Sequence, residues 1–159
     1  MFGGVILLKL QKHIEECPIK NDLKKKFGIK KPKISICGLN PHAGEDGYIG
    51  KEEKEIICPA IKSLKKSGYN VNGPYSADTI FTRNDSDLIL AMYHDQALPV
   101  IKTIEFGNIV NTTLGLPIIR TSVDHGTAID IAGTGKADPK SLIAAIKTSI
   151  EIAKQTNGK

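Results

Sequence analysis

Two short apolar runs stand out along the chain, and each empties into a histidine. Ile34-Ser35-Ile36-Cys37, preceded by Pro32 and lysines, gives way to Gly38-Leu39-Asn40-Pro41-His42-Ala43-Gly44-Glu45-Asp46-Gly47. Leu88-Ile89-Leu90-Ala91-Met92 runs directly into Tyr93-His94-Asp95-Gln96. Short apolar runs bounded by turn formers read as buried strands. In an α/β fold, loops at the carboxyl ends of strands are where ligands bind.

Helical periodicity fills the intervals. Residues 5–16 place Leu7, Leu10 and Ile14 on one face, with Pro18 as the stop. Asn21-Asp22-Leu23 caps a short helix through Phe27, closed by Gly28. Residues 51–67 predict a helix bent at Pro59, with Ile56, Ile57, Ala60, Ile61 and Leu64 apolar and Gly68 as its C-terminal cap. Val71 to Gly73 leads into a loop, residues 74–79, before Ile80-Phe81, and residues 98–101 predict a short helical turn. Residues 110–113 and 118–121 are β-branched strand candidates, separated by Gly115 and Pro117. Residues 124–135 read as a loop with a short helical turn. Asp138-Pro139 supplies a capping acid and a proline for the first helical position. The helix it opens, residues 140–156, carries Leu142, Ile143, Ile146, Ile150 and Ala153 on one face. There is no internal repeat. Alternating strands and helices imply an α/β layered fold with a largely parallel sheet.

The length of 159 residues suits one domain with its own core. No apolar run approaches the ~20 residues of a membrane span, and the run 5–8 lacks the basic flank and cleavage site of a signal peptide. Cys17, Cys37 and Cys58 share no metal-type spacing and suit a reducing cytoplasm. The net charge of +5 comes from lysines dispersed over helix faces without interleaved aromatics, so it points to solvated surface and not to nucleic acid.

His42 and His94 each follow a strand and so reach the same edge of a sheet. Two imidazoles and a third donor make a site for Zn²⁺ or a similar divalent ion; the plainer reading is two solvated loop histidines. Asp78 is a candidate acid–base or metal-side carboxylate and Asp95 a candidate partner for an imidazole, though each also reads as a capping or solvated acid. Arg120 ends the apolar run 116–119, where burial would demand an anionic partner. Met1-Phe2-Gly3-Gly4 shows no domain-start signal, as expected of a chain that begins partway through a larger fold.

Residues 38–47, 93–96 and 107–135, in that order and spacing, resemble the 4-hydroxythreonine-4-phosphate dehydrogenase family of pyridoxal phosphate biosynthesis. The resemblance runs from about Phe27 to the C-terminus and covers only the C-terminal half of the family's subunit. It implies an isocitrate/isopropylmalate dehydrogenase-like α/β/α fold, here partial, without the Rossmann Gly-x-Gly-x-x-Gly fingerprint. It implies that His42 and His94 are two of three metal histidines, for Zn, Mg or Co, the third lying in the absent half. It assigns Lys102, Asn111 and Arg120 to the phosphorylated substrate, with Asp78 and Lys102 as catalytic candidates. Asp124, His125, Gly126, Thr127, Ala128, Ala132 and Gly133 match the loop that wraps NAD or NADP. Asp46 and Ala97 depart from the family's usual glycines. The implied reaction oxidises the C3 hydroxyl of 4-phosphohydroxy-L-threonine and then releases CO₂, in a cytoplasmic homodimer. Three readings stand beside it: a relative acting on a phosphorylated sugar acid such as threonate phosphate; a truncated product that folds and dimerises but catalyses nothing, as against a split enzyme whose N-terminal half is a separate partner; and a phosphate- or nucleotide-binding module without redox chemistry.

Overall fold

The structure, a computed structural model, describes residues 4–7 and 19–158. A four-stranded parallel sheet in the order β1-β4-β2-β3 organises it: β1 (Gly4–Leu7), β2 (Lys33–Cys37), β3 (Asn70–Tyr75) and β4 (Leu88–Ala91). β2 and β4 are the inner strands, with Ile34 beside Leu88 and Ile36 beside Leu90. Strands covered on both faces read as continuous apolar runs, which is why both were visible in the sequence. Ile34, Ile36, Val71, Leu88 and Leu90 from the sheet pack with Ile19 and Leu23 of α1 (Ile19–Phe27) and Ile61 and Leu64 of α2 (Cys58–Lys66). Each such side chain contributes roughly 1.5–3 kcal/mol on burial.

α2 ends as its sequence predicts. Gly68 (φ +79) donates to the Lys65 carbonyl, and the next amide, Tyr69, reaches back to the Leu64 carbonyl at 3.0 Å. This is the double closure that a left-handed glycine permits. α3 (Ala77–Ile80), α4 (His94–Ile104), an antiparallel hairpin of β5 (Val110–Thr113) and β6 (Arg120–Val123), and α5 (Lys140–Thr156) complete the chain.

Several expectations are corrected. The helix over residues 5–16 is not found where it can be seen: Gly4–Leu7 is a strand paired with β4, and residues 8–16 and Pro18 lie outside the described residues. A short apolar run fits a buried strand as well as a helix face, and the open edge of β4 decides between them. The helix over residues 51–67 is two pieces, a π-helical turn (Glu53–Ile57) followed by α2. Pro59 lacks the N–H that regular α pairing would need from it. The supposed loop 74–79 is partly ordered, since β3 continues to Tyr75 and α3 starts at Ala77. The short turn at 98–101 belongs to the longer α4, which carries Pro99 within it. The second hairpin strand starts at Arg120, two residues later than the apolar run suggests, and pairs antiparallel in a separate sheet. Asp138 does cap, accepting the Lys140 amide at 3.0 Å, but Pro139 sits just before α5 instead of inside it.

The largest correction concerns α5. Leu142, Ile143, Ile146 and Ile150 are exposed, while Ser141, Ala145 and Ile152 are buried. Small and hydroxyl side chains let β6 approach closely. Thr121 Oγ1 donates to the Ala145 carbonyl at 3.0 Å and lies 3.0 Å from the Ser149 hydroxyl.

Candidate metal and substrate site

Beyond Cys37 the Gly38 amide donates to the Tyr75 carbonyl at 2.7 Å, and the chain then reverses through the turn Pro41–Gly47. Five successive residues are left-handed: His42 (φ 52), Ala43 (53), Gly44 (82), Glu45 (41) and Asp46 (55). This conformation costs a non-glycine residue roughly 1–2 kcal/mol, so the turn must be held by contacts. The π-helical turn supplies them. Glu53 Oε1 accepts the Leu39 and Asn40 amides at 2.7 and 2.8 Å, and Oε2 accepts Asn40 Nδ2 at 2.9 Å. Lys54 Nζ donates to the Asp46 carbonyl. Burial pushes the Glu53 carboxyl up, but the Asn40 and Leu39 donors outweigh it and hold the group below its usual range.

His42 sits on this turn with Nδ1 2.6 Å from Glu45 Oε1. The Glu45 hydrogen bond and charge, with a smaller contribution from Asp78, raise its pKa. Asp78 is exposed near the start of α3, held below the usual carboxylate range first by the Ser76 side chain and also by the His42 charge. His94 is the first residue of α4, with Nδ1 2.6 Å from Asp95 Oδ1. Gln96, buried, ties the two loops together. Its Nε2 donates to the Gly38 carbonyl at 2.7 Å while its Oε1 accepts the Met92 amide at 2.8 Å. Thus His42 and His94 leave the same carboxyl edge on neighbouring parallel strands.

In each imidazole Nδ1 is engaged by a carboxylate, which leaves Nε2 free as a donor. Metal-bound histidines are oriented in this way, so this donor set fits a divalent ion, and imidazole favours Zn or Co over Mg. Among the described residues, no group of three or more His, Cys, Asp or Glu side chains gathers as a metal site, and His42 and His94 are the candidate ligands there.

Lys102, on α4, donates to the Asp124 carbonyl at 3.2 Å, with Nζ 3.4 Å from its carboxylate. α4 is thereby joined to the end of β6. In the hairpin Asn111 pairs with Ser122 and Thr113 with Arg120. Alternation puts Asn111, Thr113 and Arg120 on one face, opposite to Thr121, which faces α5. Arg120 is exposed, not buried as the apolar run suggested, and its Nη1 donates to Thr113 Oγ1 at 2.9 Å. The strand register places it: the apolar residues before it form the turn, and Arg120 opens β6 on the solvent side. Asp124 is half-buried; His125, Gly126, Thr127, Ala128, Ala132 and Gly133 are exposed. His125 Nδ1 lies 3.0 Å from the Gly126 carbonyl. A Cβ added at Gly126 or Gly133 would meet nothing within 4 Å, so packing inside this chain does not demand these glycines, and the space is open to a ligand.

The family profile of pyridoxal phosphate biosynthetic protein PdxA matches residues 9–149. The chain belongs to this family. A PdxA-family relative from Neisseria meningitidis, named 4-hydroxythreonine-4-phosphate dehydrogenase, is 58% identical over 139 residues, covering 86% of this chain and 42% of the relative. The crystal structure of the Klebsiella pneumoniae 4-hydroxythreonine-4-phosphate dehydrogenase aligns with TM-score 0.77 and 43% identity, over 85% of this chain and 42% of that one. A terephthalate 1,2-cis-dihydrodiol dehydrogenase from Burkholderia xenovorans aligns with TM-score 0.65 and 35% identity, over 89% of this chain and 43% of that one. The PdxA-family chain thus shares part of the isocitrate/isopropylmalate dehydrogenase-like fold, and it spans under half the length of the curated relatives it matches.

Glu45, Glu53 and Gln96 escaped the sequence reading. Glu45 and Gln96 lie inside the two histidine segments, so their position was a signal. Glu53 acts across 13 residues from Asn40 and leaves no local pattern.

Proposed function

We propose that this chain carries metal, substrate and cofactor residues of a 4-hydroxythreonine-4-phosphate dehydrogenase. The observation that carries the reading is the pair His42 and His94 on adjacent strand ends, each with Nδ1 held by a carboxylate. A divalent ion held by their Nε2 atoms would polarise the substrate hydroxyl, and NAD or NADP would take the hydride from the carbon bearing it. Lys102 and Arg120 supply cationic donors for the phosphate or carboxylate, and Asn111 an amide for a remaining oxygen. Asp78, ionised beside His42, accepts the hydroxyl proton. Lys102 stands ready to return a proton when CO₂ leaves the β-keto acid. Residues 124–133 wrap the adenosine.

The exposed apolar stripe of α5 is where we place the rest of the family subunit, the second wall of the cleft. The active form is a homodimer in the cytoplasm. One assay tests the reading: NAD(P) reduction with 4-phosphohydroxy-L-threonine and added Zn²⁺, Co²⁺ or Mg²⁺, on this chain with and without a supplied N-terminal half. Turnover is expected only with the half supplied. Turnover by the chain alone at about 1 s⁻¹ or more overturns the need for a second wall, and silence in both arms overturns the assignment. A second reading is the oxidation of a phosphorylated sugar acid; the Burkholderia xenovorans neighbour, named for a terephthalate dihydrodiol, supports only that the substrate can vary on a similar fold. Threonate phosphate in a parallel arm separates the two.

A further inference from the structure

We propose that Glu53 is the positioning residue of the His42 loop, a buried carboxylate latch that forces the left-handed turn and so aims His42 at the sheet edge. Glu53 is 3% exposed, and none of its three hydrogen bonds goes to another charged side chain. Two donors are successive backbone amides, Leu39 and Asn40, at the point where the chain leaves β2. The carboxylate therefore does for this loop what a capping group does for a helix end. Hydrogen bonds to an ionised acceptor are about twice as strong as neutral ones, and the loop needs that strength to keep His42, Ala43, Glu45 and Asp46 left-handed.

The fit around the carboxylate is close. A Cβ at Gly44 would lie 2.6 Å from Glu53 Oε2 and 2.9 Å from the Gly50 carbonyl, and one at Gly38 would lie 3.1 Å from Oε1 and 2.8 Å from the Ala43 Cα. Gly44 is thus required by the latch as well as by its own φ of +82, whereas at Gly38 it is the close approach of Ala43 and Oε1 that leaves no room for a side chain. Glu53 also lies in the π-helical turn. That widened turn shifts the side-chain register relative to α2, and π-helical turns recur at functional sites. Asn40 bridges Glu52 and Glu53 through Nδ2, so one amide group holds both acids of the turn. The role of the latch in metal binding rests on the reading of His42 as a ligand; its role in shaping the loop does not.

The test uses the full chain with Glu53→Gln, Glu53→Asp and Gly44→Ala. The last attacks the same contact from the other side. Two readouts are taken beside the thermal unfolding curve: amide hydrogen exchange at Leu39 and Asn40, and Co²⁺ binding followed by absorption. Glu53→Gln should unfold cooperatively, exchange the Leu39 and Asn40 amides at least tenfold faster, and bind Co²⁺ at least tenfold more weakly. Glu53→Asp, whose arm is one methylene shorter, should not restore either, and Gly44→Ala should reproduce both losses. Wild-type protection and Co²⁺ affinity in Glu53→Gln would overturn the proposal. So would loss of cooperative unfolding in all three variants, which would make Glu53 a prop of the whole fold. If the wild-type chain binds no Co²⁺ by itself, the exchange rates alone decide on the latch.

Discussion

Residues 19–105 close an apolar core around the parallel sheet, whereas residues 106–158 leave most of their large apolar side chains in water. In the first region Leu88 and Ile80 are each 1% exposed and Val71 2%. In the second, Phe106 is 86%, Ile129 78% and Ile118 62% exposed, and four apolar residues line the open side of α5. The first region carries His42 and His94 and fixes them with buried polar anchors, Glu53 and Gln96. The second carries Asn111, Arg120 and the candidate cofactor loop, and its described side-chain hydrogen bonds to the first region are few, among them Lys102 to the Asp124 carbonyl, Lys26 to the Leu116 carbonyl, and the Gly115 amide to Asp22. The loops that carry the two candidate metal histidines are held by buried polar anchors within this chain, and the segments proposed for substrate and cofactor are not. Curated relatives have more than twice the matched length.

The largest expected effect lies in that contrast. Leu88→Ala should cost about 2–5 kcal/mol, since it empties the centre of the sheet. Ile146→Ser on the open side of α5 should move stability by no more than about 0.5 kcal/mol and should improve solubility, because it shrinks an exposed apolar patch. Chemical denaturation of the two variants measures both. An Ile146→Ser cost close to that of Leu88→Ala would break the comparison, for it would mean that the stripe is covered in solution by another copy of the chain.

α5 also shows how far the sequence could be read. Its apolar stripe was plain, and such a stripe normally marks the buried face. Here the face that packs is Ser141, Ala145, Ser149 and Ile152, because β6 needs close approach and finds hydroxyl partners there. Periodicity reports what a helix can bury, and the cover need not be in the same chain. β2 and β4 were legible because most of their side chains are buried on both faces. The two histidines were legible because strand ends are where an α/β sheet presents ligands. The strain of the His42 turn was not: Pro41 and the glycines signal a turn, but the contacts that hold four non-glycine residues left-handed come from Glu53 and Lys54, distant in sequence. The start of β6 was read two residues early, since the apolar residues 118–119 precede the strand and lie in the hairpin connection.

A smaller effect tests the contact between β6 and α5 inside the second region. Thr121→Val keeps the shape and removes the donor to the Ala145 carbonyl and the contact with Ser149. A net loss of about 0.5–1.5 kcal/mol is expected, together with faster amide exchange along β5 and β6 and none of that increase along β2. Equal loosening of β2 would show that the two regions unfold as one unit and would erase the distinction drawn between them.

Cysteine chemistry separates a buried site from a half-buried one inside the first region. Cys37 is fully buried at the end of β2, and desolvation pushes its thiol up to about 11; Cys58, at the start of α2, is half-buried. Only the thiolate attacks a disulfide reagent. Cys58 should therefore label in the folded chain with Ellman's reagent, and Cys37 only on unfolding. Comparable rates at both positions at pH 8 would mean that the sheet end opens readily and that the metal side is less rigid than described.

The smallest effect concerns the charged rim of the first region. Asp85 precedes β4, 3.2 Å from Arg83 and 3.1 Å from Lys33, and the Arg83 and Lys33 hydrogen bonds, followed by their charges, lower its pKa from 3.8 to about 2. A carboxyl depressed in the folded state stabilises at every pH above its unfolded value, and that stabilisation is lost as pH falls through the folded one. The window is therefore about pH 4 down to about pH 2, and above it the contribution is flat. All three side chains are exposed, so salt screens the contribution and keeps it small. Asp85→Asn should be slightly less stable than wild type at pH 7 in low salt, should converge with it by pH 2, and should lose most of the difference at high salt. A difference that instead grew on acidification would reverse the sign of this argument, and would mean that Asp85 is better held protonated than ionised.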